Sequence, residues 1–299
     1  MTDAQPPRRS CLSVPGSSER MLAKAPTLAA DELIVDLEDA VASTAKDDAR
    51  ELVARTLASA PWRDVAVSVR VNAPGTPWCH ADLIALASAP GPLAAVVVPK
   101  VESAGDLAFV ERLLAGVERA VGRVRPLRVQ ALIETAAGLS RVAEIAAASE
   151  RLDALILGYA DLAASLGRSG AGAADLDGWR PAQEAVLLAA RANGLQAIDG
   201  PYLGVAADAR FVASATRARD AGFYGKWAIH PSQVAGLNEL FLPTEAELDH
   251  AQAVVAALED AEQARGQGAV ALDGEMLDEA IRAAALRTLA RAPRALDPS

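Results

Sequence analysis

The chain has 299 residues, 52% hydrophobic but only 4% aromatic, so a large core must be built from Ala, Val, Leu and Ile. A net charge of −10 and a pI near 4.9 run against nucleic-acid binding, which needs a basic face, and against attraction to anionic membranes. No apolar run reaches the roughly 18 residues of a membrane span, and "MTDAQPPRRS" has no apolar stretch behind its arginines, so no signal peptide is expected. Cys11 and Cys79 form no CxxC pair and fit reduced thiols in a cytoplasmic protein, Cys11 in the core and Cys79 in a loop.

In chain order, short apolar runs predict strands at 11–14 (CLSV), 32–37 (ELIVDL), 66–71 (AVSVRV), 94–98 (AAVVV), 128–133 (RVQALI), 153–157 (DALIL), 195–198 (LQAI) and 224–229 (YGKWAI). Ala-rich helical stretches fall at 18–29, 44–58, 80–88, 103–119, 137–148, 177–193, 206–220 and 231–240, with a capping box of Ser103 and Asp106 opening one of them. Eight alternating units with continuous apolar strands predict a parallel sheet covered on both faces and closed into a (β/α)8 TIM barrel over residues 8–240. Beyond it, Thr244 and Glu247 open a helix of about 20 residues. A Gly-rich turn, a short strand and a last helix over about 276–291 follow, and "ALDPS" is expected to fray. Residues 241–299 are therefore read as a helical extension that must pack on this barrel or on a neighbour's.

In this fold the C-terminal strand ends carry the active site. Here they read "VPGSSER"; Asp36, Glu38 and Asp39; Arg70 and Asn72; Pro99 and Lys100; Glu134; Asp161; Asp199; and His230. The strand starts show no comparable set. Glu134 and Asp161 end successive strands, and two carboxylates without a His or Cys cluster are hard oxygen ligands suited to Mg2+. The competing reading makes each the cap of the helix that follows it. Arg70 in "VSVRVN" offers a planar fork for a carboxylate or an enolate oxygen, or an interior ion pair to Glu38 or Glu134; a pairing carboxylate such as Glu38 would also orient it. Lys100 has an ion pair to Glu102 as its alternative to a substrate role. His230, before Pro231, is expected to anchor the last loop. No GxSxG, Walker A or Rossmann fingerprint occurs.

The segments "RRSCLSVPGSSERMLAKA", "LIVDLEDAV", "VRVN", "VVVPKVES", "ALIETAAGL", "GYADLAASLG" and "KWAIHPSQV" resemble, in order, the motifs of the citrate lyase β-subunit-like (CitE-like) branch of the HpcH/HpaI aldolase superfamily, from about residue 8 to residue 292. The resemblance implies a Mg2+-dependent lyase that cleaves or forms a carbon–carbon bond in a β-hydroxyacyl thioester such as malyl-CoA or citramalyl-CoA. Glu134 and Asp161 would be the metal ligands, and Arg70, with Glu38 beside it, the group that meets developing negative charge. Arg20 and Lys24 would lie near the CoA phosphates, and Pro99 and Lys100 would border the substrate. Asp278, after "GEML", would come from a neighbouring subunit to move a proton at the thioester α-carbon, implying a homotrimer or hexamer. Ala160 stands where many relatives carry an acidic residue, the first loop lacks the usual Arg-Pro, and the loop "RSGAGAADLDGWRP", 168–181, is expected to border the substrate. Two rivals remain at this point: a metal-dependent aldolase for free 2-oxo acids, without CoA, and a citryl-thioester subunit of a carrier-protein-dependent lyase complex. The long tail favours the CoA lyase over the first.

Overall fold

The computed structural model describes residues 7–62, 65–168, 177–265, 268–272 and 274–292. The chain divides into two compact units, Met1–Asn238 and Glu239–Ser299. In the first, eight parallel strands run in sequence order: β1 (Ser10–Pro15), β2 (Glu32–Asp36), β3 (Ala66–Arg70), β4 (Leu93–Val98), β5 (Arg128–Ile133), β6 (Leu152–Leu157), β7 (Gln196–Asp199) and β8 (Gly225–Ala228). β8 pairs back onto β1 through Ser10↔Lys226, Cys11↔Trp227 and Leu12↔Ala228, so the sheet is a closed barrel, as the alternation predicts.

Apolar runs make these strands because both sheet faces are covered. Alternate residues point inward, and Cys11, Ile34, Val97, Leu132, Ala154, Ile156, Ile198 and Trp227 form one interior cluster. The residues between them, such as Val35, Val96 and Ile133, face the helices by the same alternation and are equally buried. Cys11 is thus a core residue, as expected. Cys79 is also buried, but it is the first residue of the helix Cys79–Ser88 rather than part of a loop.

The strand starts are not the blank face that the sequence suggests. Arg8, 2% exposed, donates to Glu32 Oε2 at 2.9 Å, Gln196 Oε1 at 2.7 Å and Asp153 Oδ2 at 3.0 Å. Gln130 Nε2 and Ser68 Oγ both donate to Glu32 Oε1. The N-terminal end of the barrel is therefore plugged by a buried polar cluster. Its members lie far apart in sequence, which is why no single segment announces it.

Most helices fall where they are expected. The 18–29 stretch ends early as Glu19–Lys24 and a 3-10 turn at Pro26, because proline offers no N–H to continue a helix. The 137–148 stretch is two short helices, Ala136–Ser140 and Val142–Ala146, and a further one, Tyr159–Ser165, follows β6. The capping box of Ser103 and Asp106 is present.

In the second unit, Thr244 and Glu247 cap the helix Glu245–Arg265 reciprocally. A hairpin of β9 (Val270–Leu272) and β10 (Glu275–Leu277) leads to the helix Glu279–Ala290. The last helix therefore starts later than expected, because Glu275–Leu277 is a strand. Ala251, Val254, Leu258, Leu277 and Ala285 make this unit's own small core. "ALDPS" and residues 169–176 of the 168–181 loop lie outside the described residues.

Candidate active site

Parallel register brings the site together. Asp36 and Arg70 are partners at the ends of β2 and β3, and both face inward. Two side chains so placed meet as a fork: Arg70 Nε donates to Asp36 Oδ1 at 2.8 Å and Nη2 to Oδ2 at 2.6 Å. Arg70 Nη1 lies 3.0 Å from Glu38 Oε2, and the guanidinium sits 5.6 Å from the Trp227 ring centre. Arg70 is thus paired inside the barrel, with Glu38 as expected. Its stronger partner is Asp36, which the sequence marks as a strand-end acid without a role.

Glu38 Oε1 accepts a 2.6 Å hydrogen bond from Lys100 Nζ, which also lies 3.3 Å from Asp161 Oδ1 and 3.9 Å from Glu134 Oε1. Lys100 therefore pairs with these acids rather than with Glu102. Its φ of +51° makes it the single non-glycine residue in the left-handed region among the described residues, and its backbone N–H is aimed at Glu134 Oε1 at 2.9 Å. Such a conformation costs about 1–3 kcal/mol and persists only where the surroundings hold it.

The cap reading of Glu134 fails, because Thr135 caps the helix Ala136–Ser140 with its own hydroxyl. Glu134 instead extends the inward face of β5 and is 2% exposed. Its carboxylate packs on Gly158, the first residue after β6: a Cβ there would meet Glu134 Oε2 at 2.6 Å. Asp161 follows in the first turn of the helix Tyr159–Ser165. Burial pushes the Glu134 carboxyl up to about 8; the Glu38 and Asp161 carboxylates add to this, while Lys100 and Arg70 oppose it. Burial likewise raises Glu38, against the pull of Arg70 and Lys100.

Arg70, Asp36, Asp39, Glu134 and Asp161 share a cavity of about 420 Å³ with an apolar side that includes Leu132 and Trp227. Glu38 and Lys100 adjoin these groups without lining the cavity. Pro99 is buried, while Arg20 and Lys24 are exposed on the helix that leaves the end of β1. Asp278, in the second unit, caps the helix Glu279–Ala290 by accepting from Ala280 N and Ile281 N. His230 caps the turn Pro231–Gln233 and is exposed. Asp199 does not face the cavity: it is fully buried against Lys226 and accepts from Tyr159 Oη.

Apart from the exposed Asp39, four carboxyl groups (Asp36, Glu38, Glu134 and Asp161) meet two cations (Arg70 and Lys100), so the set carries a surplus of two negative charges when all four are ionised. Together with the Glu134 cradle at Gly158, that surplus fits a divalent cation bound by hard oxygens. Among the described residues no group of three or more His, Cys, Asp or Glu is placed to hold a metal. A two-carboxylate site suits Mg2+, which keeps water or substrate oxygens in its other positions.

A closed parallel barrel with this acid and arginine set at its C-terminal mouth defines a (β/α)8 barrel enzyme. The chain belongs to the HpcH/HpaI aldolase/citrate lyase family, which it matches over residues 9–231. It is 39% identical over 288 residues to an L-malyl-CoA/β-methylmalyl-CoA lyase of Cereibacter sphaeroides, covering 91% of this chain and 90% of the relative. It is also 40% identical over 293 residues to a (3S)-malyl-CoA thioesterase of the same organism, covering 96% and 95%. The crystal structure of CitE from Mycobacterium tuberculosis in complex with magnesium, acetoacetate and coenzyme A superposes with a TM-score of 0.78 at 34% identity, over 98% of this chain and 99% of that one.

Proposed function

We propose that this chain is a Mg2+-dependent carbon–carbon lyase that cleaves, or forms, a β-hydroxyacyl-CoA of the malyl-CoA type, giving a 2-oxo acid and an acyl-CoA. The observation that carries the reading is the convergence of Glu134, Asp161 and Arg70 on one cavity. The malyl-CoA lyase relatives and the CitE complex with magnesium and coenzyme A support it.

Glu134 and Asp161 would hold the ion, which when bound lowers the pKa of the substrate's β-hydroxyl. Asp36 grips two nitrogens of Arg70, so the guanidinium reaches the cavity with its direction already set. There it binds the carboxylate of the 2-oxo acid portion and stabilises charge that develops on the adjacent oxygen. As the β-hydroxyl gives up its proton to solvent in the open cavity, the carbon–carbon bond breaks and its electron pair passes to the thioester as an enolate. Asp278, carried by a second copy of the chain, delivers the proton that turns the enolate into acyl-CoA. Glu38 keeps Arg70 and Lys100 in register, and the Pro99–Lys100 turn borders the acid. Arg20 and Lys24, exposed beside the mouth, suit the CoA phosphates. We further place the chain in the cytoplasm, as a homotrimer or hexamer; its two free, buried thiols suit a reducing compartment. No helix among the described residues is long and apolar enough to cross a membrane.

The thioesterase relative favours a second reading, hydrolysis of the same thioester. Product analysis separates the two. The purified chain is incubated with Mg2+ and malyl-, citramalyl- and hydroxymethylglutaryl-CoA. Glyoxylate and acetyl-CoA from malyl-CoA are expected of a lyase; malate and free CoA would establish the thioesterase instead. Glu134→Gln and Asp161→Asn should abolish turnover and Mg2+ binding by calorimetry while the far-UV spectrum is kept. Full activity in both variants would remove the metal site.

A further inference from the structure

Arg8, Arg70 and Lys226 are withdrawn from water and each ends on a carboxylate. Lys46 is also withdrawn, at 7% exposure, yet it ends on two neutral backbone groups. Its ammonium donates to the carbonyls of Leu37 at 2.9 Å and Glu38 at 2.7 Å and lies 5.5 Å from the Trp78 ring centre. Burial pulls its pKa down, with the Asp36, Glu38 and Asp39 charges acting against that. A charge placed there at a desolvation cost must hold something, and what it holds is the turn between β2 and the next helix.

That turn has little freedom left. Leu37 N donates to Arg70 O at 2.9 Å, and Glu38 N donates to Asp36 Oδ1 at 2.8 Å. The Glu38 carbonyl accepts from Val41 N at 2.9 Å as well as from Lys46. All four backbone polar groups of Leu37 and Glu38 are therefore engaged, two by strand ends and two by Lys46. Lys46 is itself the first residue of the long helix Lys46–Ser59, a rigid anchor. The direction in which Glu38 leaves the backbone follows, and with it the carboxylate that joins Arg70 to Lys100.

We infer that Lys46 is a positioning residue of the active site: through the carbonyls of Leu37 and Glu38 it fixes the turn that delivers the Glu38 carboxylate between Arg70 and Lys100. The inference rests on the reading of function above and adds to it a residue outside the cavity that acts through Glu38.

A double-mutant cycle tests it. Lys46→Met, Glu38→Gln and the pair are made in the full chain, and kcat and KM are measured with Mg2+ on whichever thioester the wild type turns over. Small misplacements of catalytic groups cost up to about 100-fold, so Lys46→Met should lower kcat roughly 10- to 100-fold with KM little changed. In the Glu38→Gln background the same substitution should cost almost nothing further, because the carboxylate that the turn delivers is gone. Lys46→Arg, which keeps a charged donor, should recover most of kcat. If Lys46→Met does not fold, Lys46→Gln takes its place in the cycle with the same expected outcomes. Losses that multiply across the cycle would overturn the inference while leaving Glu38 its role. A wild-type rate for Glu38→Gln would remove that role and the inference with it. A wild-type chain inert on every thioester would sink the reading of function and this step together.

Discussion

Arg70 shows how far one side chain can be prepared by its neighbours. Two of its nitrogens are taken by Asp36, and a third faces Glu38. A lysine keeps the charge but not the fork. Arg70→Lys should therefore cost about 2–4 kcal/mol of transition-state stabilisation, read as kcat/KM at subsaturating substrate; a wild-type value would return Arg70 to a structural role. Glu134 makes a different prediction. Its carboxyl is held at about 8 in the fold against an ordinary value of 4.5, so the folded chain binds that proton more tightly than the unfolded one. Without metal, stability should fall as pH rises from about 4.5 to about 8, by about 5 kcal/mol at most. Thermal melts in EDTA across that window check this, and Glu134→Gln should flatten much of the slope. Mg2+ must displace the same proton, so its affinity should weaken below pH 8. Glu134, Asp161 and Arg70 were legible in the sequence because each interrupts or ends an apolar run. Asp36 as the partner of Arg70 was not, because the pairing depends on strand register. Lys46 was not either, because an ammonium on backbone carbonyls leaves no mark on the residues it holds.

At the scale of elements, the eight strands were readable to within a residue or two, since continuous apolar runs of that length have few other uses in an α/β chain. The short helices were harder. Tyr159–Ser165 has only seven residues and grows directly from the β6 turn, so it presents no separate periodicity. Yet that junction brings the two carboxylates together: Gly158 admits the Glu134 side chain, and the helix it begins carries Asp161. Gly158→Ala should push the Glu134 carboxylate aside. Mg2+ affinity should drop about 10- to 100-fold, as when metal ligands lose their supports, with about 1–3 kcal/mol of stability lost to overpacking. Calorimetric titration with Mg2+ reads the first and chemical denaturation the second. Unchanged affinity would show that the cradle does not set the site.

At the scale of the whole molecule, the sequence marks a barrel and a separate tail, and the tail forms its own small core. The proposal that Asp278 serves a neighbouring barrel predicts complementation. Asp278→Ala and Arg70→Lys, each slow alone, should regain activity when coexpressed, with about a quarter of sites intact under random mixing. No recovery despite proven mixing would confine Asp278 to its own chain or remove it from catalysis. The polar plug at the strand starts escaped the sequence reading because Arg8, Glu32, Asp153 and Gln196 come from four separate stretches. The closure beside it has a consequence for how the chain is made. β1 finds one partner at once in β2, but its other edge must wait for Cys11 to meet Trp227. At roughly 5–20 residues per second on the ribosome, that wait is about 10–40 seconds. Until then any sheet built from the earlier strands has a bare hydrogen-bonding edge at β1, and Arg8 lacks its partners Asp153 and Gln196, which are synthesised long after it. Any sheet formed before then has an open edge of the kind that invites unwanted pairing, and the arrival of β8 removes the edges of the barrel.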